Sequence, residues 1–207
     1  MNMRETILKN KILIIMRNVD TNKCLDYVEA VLKGGISFIE IAMNTPDAAI
    51  QIKMIKDKFG DKVTLGAGTA VTTKIIDEAM NAGAQFVLTP STSEDILDYC
   101  KKKSIPFLPG VLTPLDVMMC QRYGFDTFKL FPAGDMPKTY VKSLKGPFDN
   151  TCYVAVGGVN INNVKEFIES GYIGVGIGSS VVPRELINEG RWKEVTEYIK
   201  RLVEASE

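Results

Sequence analysis

Apolar runs of strand length alternate with amphipathic segments of helix length along the chain, always in the order strand, helix, strand. The runs are continuous rather than alternating, which is typical of strands covered on both faces in a parallel sheet. Eight such units predict an α/β fold, a single compact (β/α)₈ TIM barrel. The predicted strands cover residues 11–16, 38–41, 64–67, 86–89, 106–109, 127–131, 153–156 and 174–177.

Helix boundary signals lie between these runs. Asp20 or Thr21 can cap a helix over 24–33, and Pro46 opens another that reaches about residue 59. A doubly wound open sheet is the competing architecture, but no G-x-G-x-x-G motif follows the first strand. The remaining predicted helices cover 73–82, 93–103, 114–123, 160–169 and 191–205, with an extra N-terminal helix over 2–9 across the bottom of the barrel.

Composition narrows the classes of function. The 207 residues, 45% of them hydrophobic, suit one barrel domain over 1–207. Lysine plus arginine number 25 and equal aspartate plus glutamate, so the chain lacks the basic field that attracts nucleic acid or anionic membranes, and we expect a small-molecule partner. Histidine is absent, which excludes serine-histidine-aspartate and cysteine-histidine nucleophile systems and the commonest zinc ligand.

The cysteines and the N-terminus indicate a reducing compartment. Four cysteines lie far apart without a C-x-x-C pair, which is typical of reduced packing residues. The apolar run over 12–16 is too short for a signal-peptide core or a membrane span. We therefore expect a cytoplasmic protein that does not enter membranes.

Lys129 is the most informative residue, because it places one amine inside an otherwise apolar strand that stops at Pro132. Burial lowers the pKa of a lysine and makes its amine a nucleophile. The alternative is a lysine near a strand end whose ammonium reaches solvent along its flexible stem.

Glu40 stands in a second apolar strand, where an unpartnered carboxylate is costly to bury. A structural ion pair, even with Lys129 itself, would explain it. Alternatively, the two residues converge in the barrel interior, where an amine that attacks a carbonyl and a carboxylate that moves protons are what imine chemistry needs.

Polar and glycine residues follow several predicted strands, and barrel active sites form where those strand ends converge. Arg17 offers a planar cation for a carboxylate, or is a surface arginine that starts a loop. Thr69 comes after Gly66 and Gly68. These glycines either leave room for a ligand to approach the backbone or serve only to let the barrel close. The pairs Gly157-Gly158 and Gly178-Ser179 resemble the phosphate site of barrels, although glycines there can also serve tight turns alone.

Several motifs in the same order resemble those of the 2-keto-3-deoxy-6-phosphogluconate aldolase / 4-hydroxy-2-oxoglutarate aldolase family, which consists of class I aldolases with a (β/α)₈ barrel. The resemblance covers nearly the whole chain. The motifs lie at residues 34–41, 66–69, 83–86, 109–111, 128–133, 145–148 and 157–159.

The resemblance implies roles for the residues singled out above. Lys129 would form a Schiff base with the substrate C2 carbonyl, and Glu40 would move protons, with no cofactor and no metal. Members are usually homotrimers, so a homotrimer is expected here. The implied substrate contacts are Arg17, Thr69, Pro90 and Phe131, with a phosphate groove at Gly157, Gly158, Gly178 and Ser179.

Two positions depart from the family pattern. Many members have an arginine where this chain has Asn44, and Arg17 could provide the missing cation. The family often has a threonine where Val156 stands here, and a lost hydrogen bond of that kind is worth about 1 kcal/mol, or roughly tenfold in affinity or rate. The reaction type is expected to hold, while the substrate preference is open.

The expected function is cleavage of 2-keto-3-deoxy-6-phosphogluconate to pyruvate and glyceraldehyde 3-phosphate. Cleavage of 4-hydroxy-2-oxoglutarate to pyruvate and glyoxylate is a further expectation. The alternatives are an aldolase for the galactonate-derived phospho-acid and a phospho-ligand-binding barrel with weakened chemistry.

Overall fold

The computed structural model describes residues 1–178 and 182–207. Within them, parallel strands alternate with helices along the chain. The strands are β1 Ile12–Met16, β2 Phe38–Ala42, β3 Thr64–Gly68, β4 Phe86–Leu88, β5 Phe107–Leu108, β6 Gly110–Val111, β7 Thr127–Leu130, β8 Cys152–Val156 and β9 Gly174–Gly178. The helices are α1 Met3–Asn10, α2 Cys24–Lys33, α3 Ala48–Phe59, α4 Thr73–Ala82, α5 Glu94–Lys102, α6 Pro114–Arg122, α7 Tyr140–Lys145, α8 Val164–Glu169, α9 Arg184–Asn188 and α10 Trp192–Ser206.

The strands close into a barrel through a strand that is split at Pro109. The sheet order is β5-β4-β3-β2-β1-β9-β8-β7-β6, so its two ends are consecutive pieces of the chain. Pro109 has no N–H to donate, yet its carbonyl accepts a 2.9 Å hydrogen bond from the backbone N–H of Lys129. When β5 and β6 are counted as one strand, the described residues supply eight strands to the ring, which confirms the predicted (β/α)₈ barrel with an extra N-terminal helix.

One apolar cluster fills the barrel interior. It consists of alternate residues of the strands, as the two-residue period of side-chain direction requires. Met3 and Ile7 of α1 pack against this cluster from the bottom of the barrel, and the Phe38 and Phe86 rings lie 5.1 Å apart within it. The strand residues of the cluster are Leu13, Ile15, Phe38, Phe86, Leu88, Leu108, Val154 and Val156. A larger cluster packs the outer strand faces against the helices.

Two predicted helices begin later than expected, and two short helices were missed. Asp47 has a φ of 59°, outside the helical region, so α3 begins at Ala48 rather than at Pro46. The side chain of Asn163 accepts a 2.8 Å hydrogen bond from the backbone of Asn160, which holds a loop where a helix was predicted. The missed helices, α7 and α9, have six and five residues, too few to show a helical period.

The cysteines are free, and three of the four are buried, as the prediction of packing residues requires. In the part of the chain that the structure describes, no helix has both the length and the apolar character needed to cross a bilayer.

Candidate active site

A cavity of about 350 Å³ opens at the carboxyl ends of the barrel strands. Eight of the ten predicted site residues line it, Glu40 is buried in β2, and Ser179 lies outside the described residues. The lining residues are Ile15, Arg17, Thr69, Pro90, Lys129, Phe131, Val156, Gly157, Gly158, Val159, Asn160, Gly176 and Gly178. Strand ends far apart in sequence therefore meet in one space.

Lys129 is buried in the wall of this cavity. It lies on β7 with 6% of its surface exposed, and its Nζ is 5.2 Å from the centre of the Phe131 ring. Burial lowers the pKa of the amine, the nearby Arg17 cation lowers it further, and Glu40 opposes both effects. The side chain therefore does not extend into bulk solvent, and its amine faces an enclosed space.

Glu40 on β2 is still more deeply buried, with 1% of its surface exposed. Among the described residues, neither of its carboxyl oxygens has a hydrogen-bond partner, and no ion pair joins it to Lys129. Burial raises the pKa of this carboxyl, while the charges of Lys129 and Arg17 oppose the rise. An unpartnered carboxyl is costly in a protein interior, so its presence favours a role toward a ligand over a direct structural ion pair.

Arg17 connects the loops that follow three neighbouring strands. Its Nη1 donates a 2.7 Å hydrogen bond to Oδ1 of Asn44, and its Nη2 donates a 3.4 Å bond to Oγ1 of Thr69. Thr69 has a φ of 57° directly after β3, which turns the chain sharply at the end of the strand. Because Asn44 is a neutral acceptor, it holds the guanidinium without cancelling its charge.

The loop after β8 lines another side of the cavity with backbone. Gly157 and Gly158 have φ angles of 88° and 76°, values that residues with a side chain rarely adopt. The carbonyl of Gly157 accepts a 2.8 Å bond from the N–H of Gly134, and that of Gly158 accepts a 2.9 Å bond from Nδ2 of Asn163. These contacts fix a tight turn beside the cavity, and tight turns of this kind form anion sites in other proteins.

The sequence reasoning missed three residues that line the cavity, Ile15, Val159 and Asn160. Ile15 is the partner of Glu40 in the register of β1 and β2, so strand register identifies it. Val159 and Asn160 belong to the loop that begins at Gly157, and Gly176, which belongs to the same glycine motif as Gly178, pairs with Val156 between β8 and β9. In the described residues, no cluster of three or more histidine, cysteine, aspartate or glutamate side chains could hold a metal ion.

A closed parallel barrel with a buried amine, a buried carboxyl and a cavity at its strand ends defines a (β/α)₈ barrel enzyme. The family model described as "Aldolase: KDPG and KHG aldolase" matches residues 3–198, and the chain belongs to this family. Aldolases of this family are lyases.

Three known proteins illustrate the similarity. The 2-dehydro-3-deoxy-phosphogluconate aldolase of Treponema pallidum (strain Nichols) is 32% identical, over 81% of this chain and 80% of its own length. The 2-dehydro-3-deoxy-6-phosphogalactonate aldolase of Escherichia coli (strain K12) is 28% identical, over 95% and 97%. A crystal structure of KDPG aldolase from Legionella pneumophila, with pyruvate captured at low pH as a covalent carbinolamine intermediate, has a TM-score of 0.89 at 28% identity and covers 97% of this chain and 98% of its own.

Proposed function

We propose that the chain is a class I aldolase that cleaves 2-keto-3-deoxy-6-phosphogluconate to pyruvate and glyceraldehyde 3-phosphate through a Schiff base on Lys129. The observation that supports this most directly is the burial of Lys129 in the cavity wall, with 6% of its surface exposed. Burial lowers the pKa of the amine, which increases the unprotonated fraction that can attack a carbonyl at neutral pH.

The reaction follows from the amine and the carboxyl. The Lys129 nitrogen adds to C2 of the substrate to form a carbinolamine, Glu40 donates a proton to its hydroxyl, and water leaves to give an iminium ion. A base takes the proton of the C4 hydroxyl, the C3–C4 electron pair moves toward the iminium nitrogen, and glyceraldehyde 3-phosphate leaves an enamine behind. Protonation of C3 and addition of water then release pyruvate and restore the amine.

The raised pKa of Glu40 suits this sequence of proton transfers. A carboxyl whose pKa lies closer to neutrality can both give and take a proton, which is what a general acid and base must do in one cycle. Among the described residues its two oxygens have no hydrogen-bond partner, so neither is held by a structural hydrogen bond that proton transfer would have to break.

The remaining cavity residues would bind the two ends of the substrate. Arg17 pairs with the C1 carboxylate, Thr69 contacts the same end, and Pro90 and Phe131 form apolar walls. The phosphate would lie against the turn of Gly157 and Gly158, together with Gly178, and the contact with Ser179, which lies outside the described residues, stays a prediction. An acid bound with its carbonyl at Lys129 would thus direct its carboxylate toward Arg17 and its phosphate toward the glycine turn.

Borohydride trapping tests the proposal. Incubation with pyruvate and borohydride should add one reduced pyruvate to the chain, at Lys129 after peptide mapping. Lys129→Met should abolish the adduct, whereas Lys200→Met, which removes an exposed lysine paired with Glu197, should leave it unchanged. Glu40→Gln should still trap pyruvate but lose most turnover. Absence of an adduct at neutral pH would contradict the imine mechanism, and binding of pyruvate or phosphate without cleavage would favour a binding barrel.

A second candidate is an aldolase that prefers the galactonate-derived phospho-acid or 4-hydroxy-2-oxoglutarate. Val156 supports it, because this cavity residue presents methyl groups where the family often has a hydroxyl. Asn44 supports it too, because its side-chain oxygen accepts a hydrogen bond from Arg17. An arginine at this position has only donors and could not accept that bond. Values of kcat/KM for the three acids decide between the candidates, and an equal or higher value for the unphosphorylated acid would contradict the phosphate groove.

We also propose that residues 1–207 fold as one domain, and that the chain acts in the cytoplasm as a homotrimer without nucleic acid or membrane partners. The resemblance to the family supports the trimer, and the balanced charge supports the absence of polyanionic partners. Sedimentation equilibrium of the purified protein tests the trimer, and a monomer at micromolar concentration would contradict it.

A further inference from the structure

Gly68, the last residue of β3, is a glycine whose backbone conformation does not require one. It is buried, its φ lies outside the positive region, and it pairs with Ala42 of β2 as an ordinary strand residue. A glycine in a strand weakens it, because the strand loses a side chain that could pack and the unfolded chain gains freedom. The glycine at this position therefore needs another explanation.

The space beside Gly68 is filled by the carboxyl group of Glu40. A Cβ atom built on Gly68 would lie 1.4 Å from Oε1 of Glu40, 2.2 Å from its Cδ and 2.9 Å from its Cγ. Gly66 lies on the same face of β3, and its missing Cβ makes room for the Phe86 ring at 2.2 Å. Thus Gly66 leaves space for the Phe86 ring of the apolar interior, and Gly68 leaves space for the Glu40 carboxyl.

We propose that Gly68 is the positioning residue for Glu40, because it leaves free the volume in which the carboxyl lies. Any side chain at position 68 would displace the carboxyl from this place. The kinetic part of this inference rests on the proposed function, in which that carboxyl moves protons. A displacement of about 1 Å in a catalytic group can lower a rate by about 10²-fold.

A double-mutant cycle between Gly68→Ala and Glu40→Asp tests the contact. Aspartate is one methylene shorter, so it has no atom at the place of Oε1, the closest overlap. Rotation of its carboxylate about the Cβ–Cγ bond can take its oxygens away from the place of Cδ, and only the atom at 2.9 Å then remains. We expect Gly68→Ala to lower kcat about 10²-fold in the presence of Glu40, but less than about fivefold in the presence of Asp at position 40. Gly146→Ala is the matched control, since its Cβ would meet nothing closer than Ser143 O at 3.4 Å, and kcat should not change.

The division of the effect between kcat and KM separates this inference from a simpler explanation. If Gly68 only made room for the substrate, Gly68→Ala would raise KM equally with either residue at position 40. Equal losses in both backgrounds would overturn the proposal. If Gly68→Ala alone fails to fold, folding of the double variant would support the contact, and an unfolded double variant would contradict it.

A measurement that needs no turnover keeps this inference separate from the proposed function. Infrared titration, with Glu40→Gln as the reference, follows the protonated carboxyl of Glu40 directly. Gly68→Ala leaves no room for the carboxyl in the buried place where its pKa is raised, so the titration of Glu40 should shift from that of the wild type. An unchanged titration would overturn the proposal, whether or not the protein cleaves any of the three acids.

Discussion

The Arg17 guanidinium donates a 2.7 Å hydrogen bond to the side-chain oxygen of Asn44 at the mouth of the cavity. Arg17 follows β1 and Asn44 follows β2, so the bond joins the loops of two adjacent strands. A neutral acceptor orients the cation without adding a negative charge beside it. Asn44, where this chain departs from the family pattern, therefore contacts Arg17, the residue that we propose binds the substrate carboxylate.

Asn44→Asp should weaken binding of the keto acid. The variant keeps the acceptor but adds a negative charge beside Arg17, which competes with the substrate carboxylate and repels it. We expect KM to rise about tenfold with little change in kcat, and the effect to shrink in high salt. Arg17→Ala sets the upper limit, with a rise of about 10- to 100-fold from the loss of a charged hydrogen bond. A KM unchanged in both variants would exclude Arg17 from carboxylate binding.

The rate of pyruvate trapping should depend on pH through the amine of Lys129. Burial lowers the pKa of this amine, so the reactive form should appear below the ordinary lysine value of about 10.4. The trapping rate should rise with pH through the lowered pKa and then level off. Arg17→Gln should shift the midpoint upward, because Arg17 also lowers this pKa, and Glu40→Gln should shift it downward. A wild-type midpoint at the ordinary value would contradict the burial argument.

Removing both buried ionisable groups should stabilise the fold. The double variant Glu40→Leu/Lys129→Met is expected to raise the free energy of unfolding at pH 7 by about 1–3 kcal/mol, as seen when buried charges are replaced by hydrophobic residues of similar volume. Urea unfolding measures the difference. Glu197→Gln/Lys200→Met removes an exposed pair and should change stability by less than about 1 kcal/mol.

The pH dependence of that gain follows from the direction of each pKa shift. The raised pKa of Glu40 means that its destabilising effect is absent below the ordinary carboxyl value, about 4.3, and grows as pH rises toward the folded pKa. The lowered pKa of Lys129 means that its effect is complete below the folded pKa and disappears as pH approaches about 10.4. The gain should therefore be largest near neutrality, and a gain independent of pH would contradict this account.

Val156→Thr should change the substrate preference. The substitution exchanges a methyl group for a hydroxyl at a residue that lines the cavity, and one new hydrogen bond is worth about tenfold in kcat/KM. We expect the ratio of kcat/KM for the gluconate-derived acid to that for the galactonate-derived acid to rise by about this factor. Val154→Thr lies in the barrel interior away from the cavity lining and should cost stability without changing the ratio. An unchanged ratio for Val156→Thr would show that this residue does not determine the substrate preference.

The strands were predictable because a parallel barrel buries both faces of each one. All five residues of β1 are buried, for example, and so appear in the sequence as a continuous apolar run. Lys129 and Glu40 could be grouped for the same reason. Each is a charged residue in a continuous apolar run, and because burying a charge without a partner is costly, both were expected to meet in the barrel interior. The ends of parallel strands meet at one edge, so the residues around the cavity could be assembled without any knowledge of distances.

What could not be predicted depends on contacts between strands. The fit of the Glu40 carboxyl into the space beside Gly68 requires the register of β2 and β3, and the bond from Arg17 to Asn44 requires two loop conformations. The split of a strand at Pro109 was also missed, because the predicted run ended there while the chain continues into Gly110 and Val111. Local sequence contains little information on any of these.

Helix α1 covers the bottom of the barrel, the end opposite the cavity. Met3 and Ile7 pack against the interior cluster, and Ile7 fills the space that a Cβ on Gly174 would occupy, with its Cγ2 at 2.7 Å. Reactants and products must then share the entrance at the carboxyl ends of the strands. In the proposed reaction pyruvate is still bonded to Lys129 when the aldehyde forms, so the aldehyde departs first. Pyruvate should therefore inhibit cleavage competitively, and glyceraldehyde 3-phosphate noncompetitively.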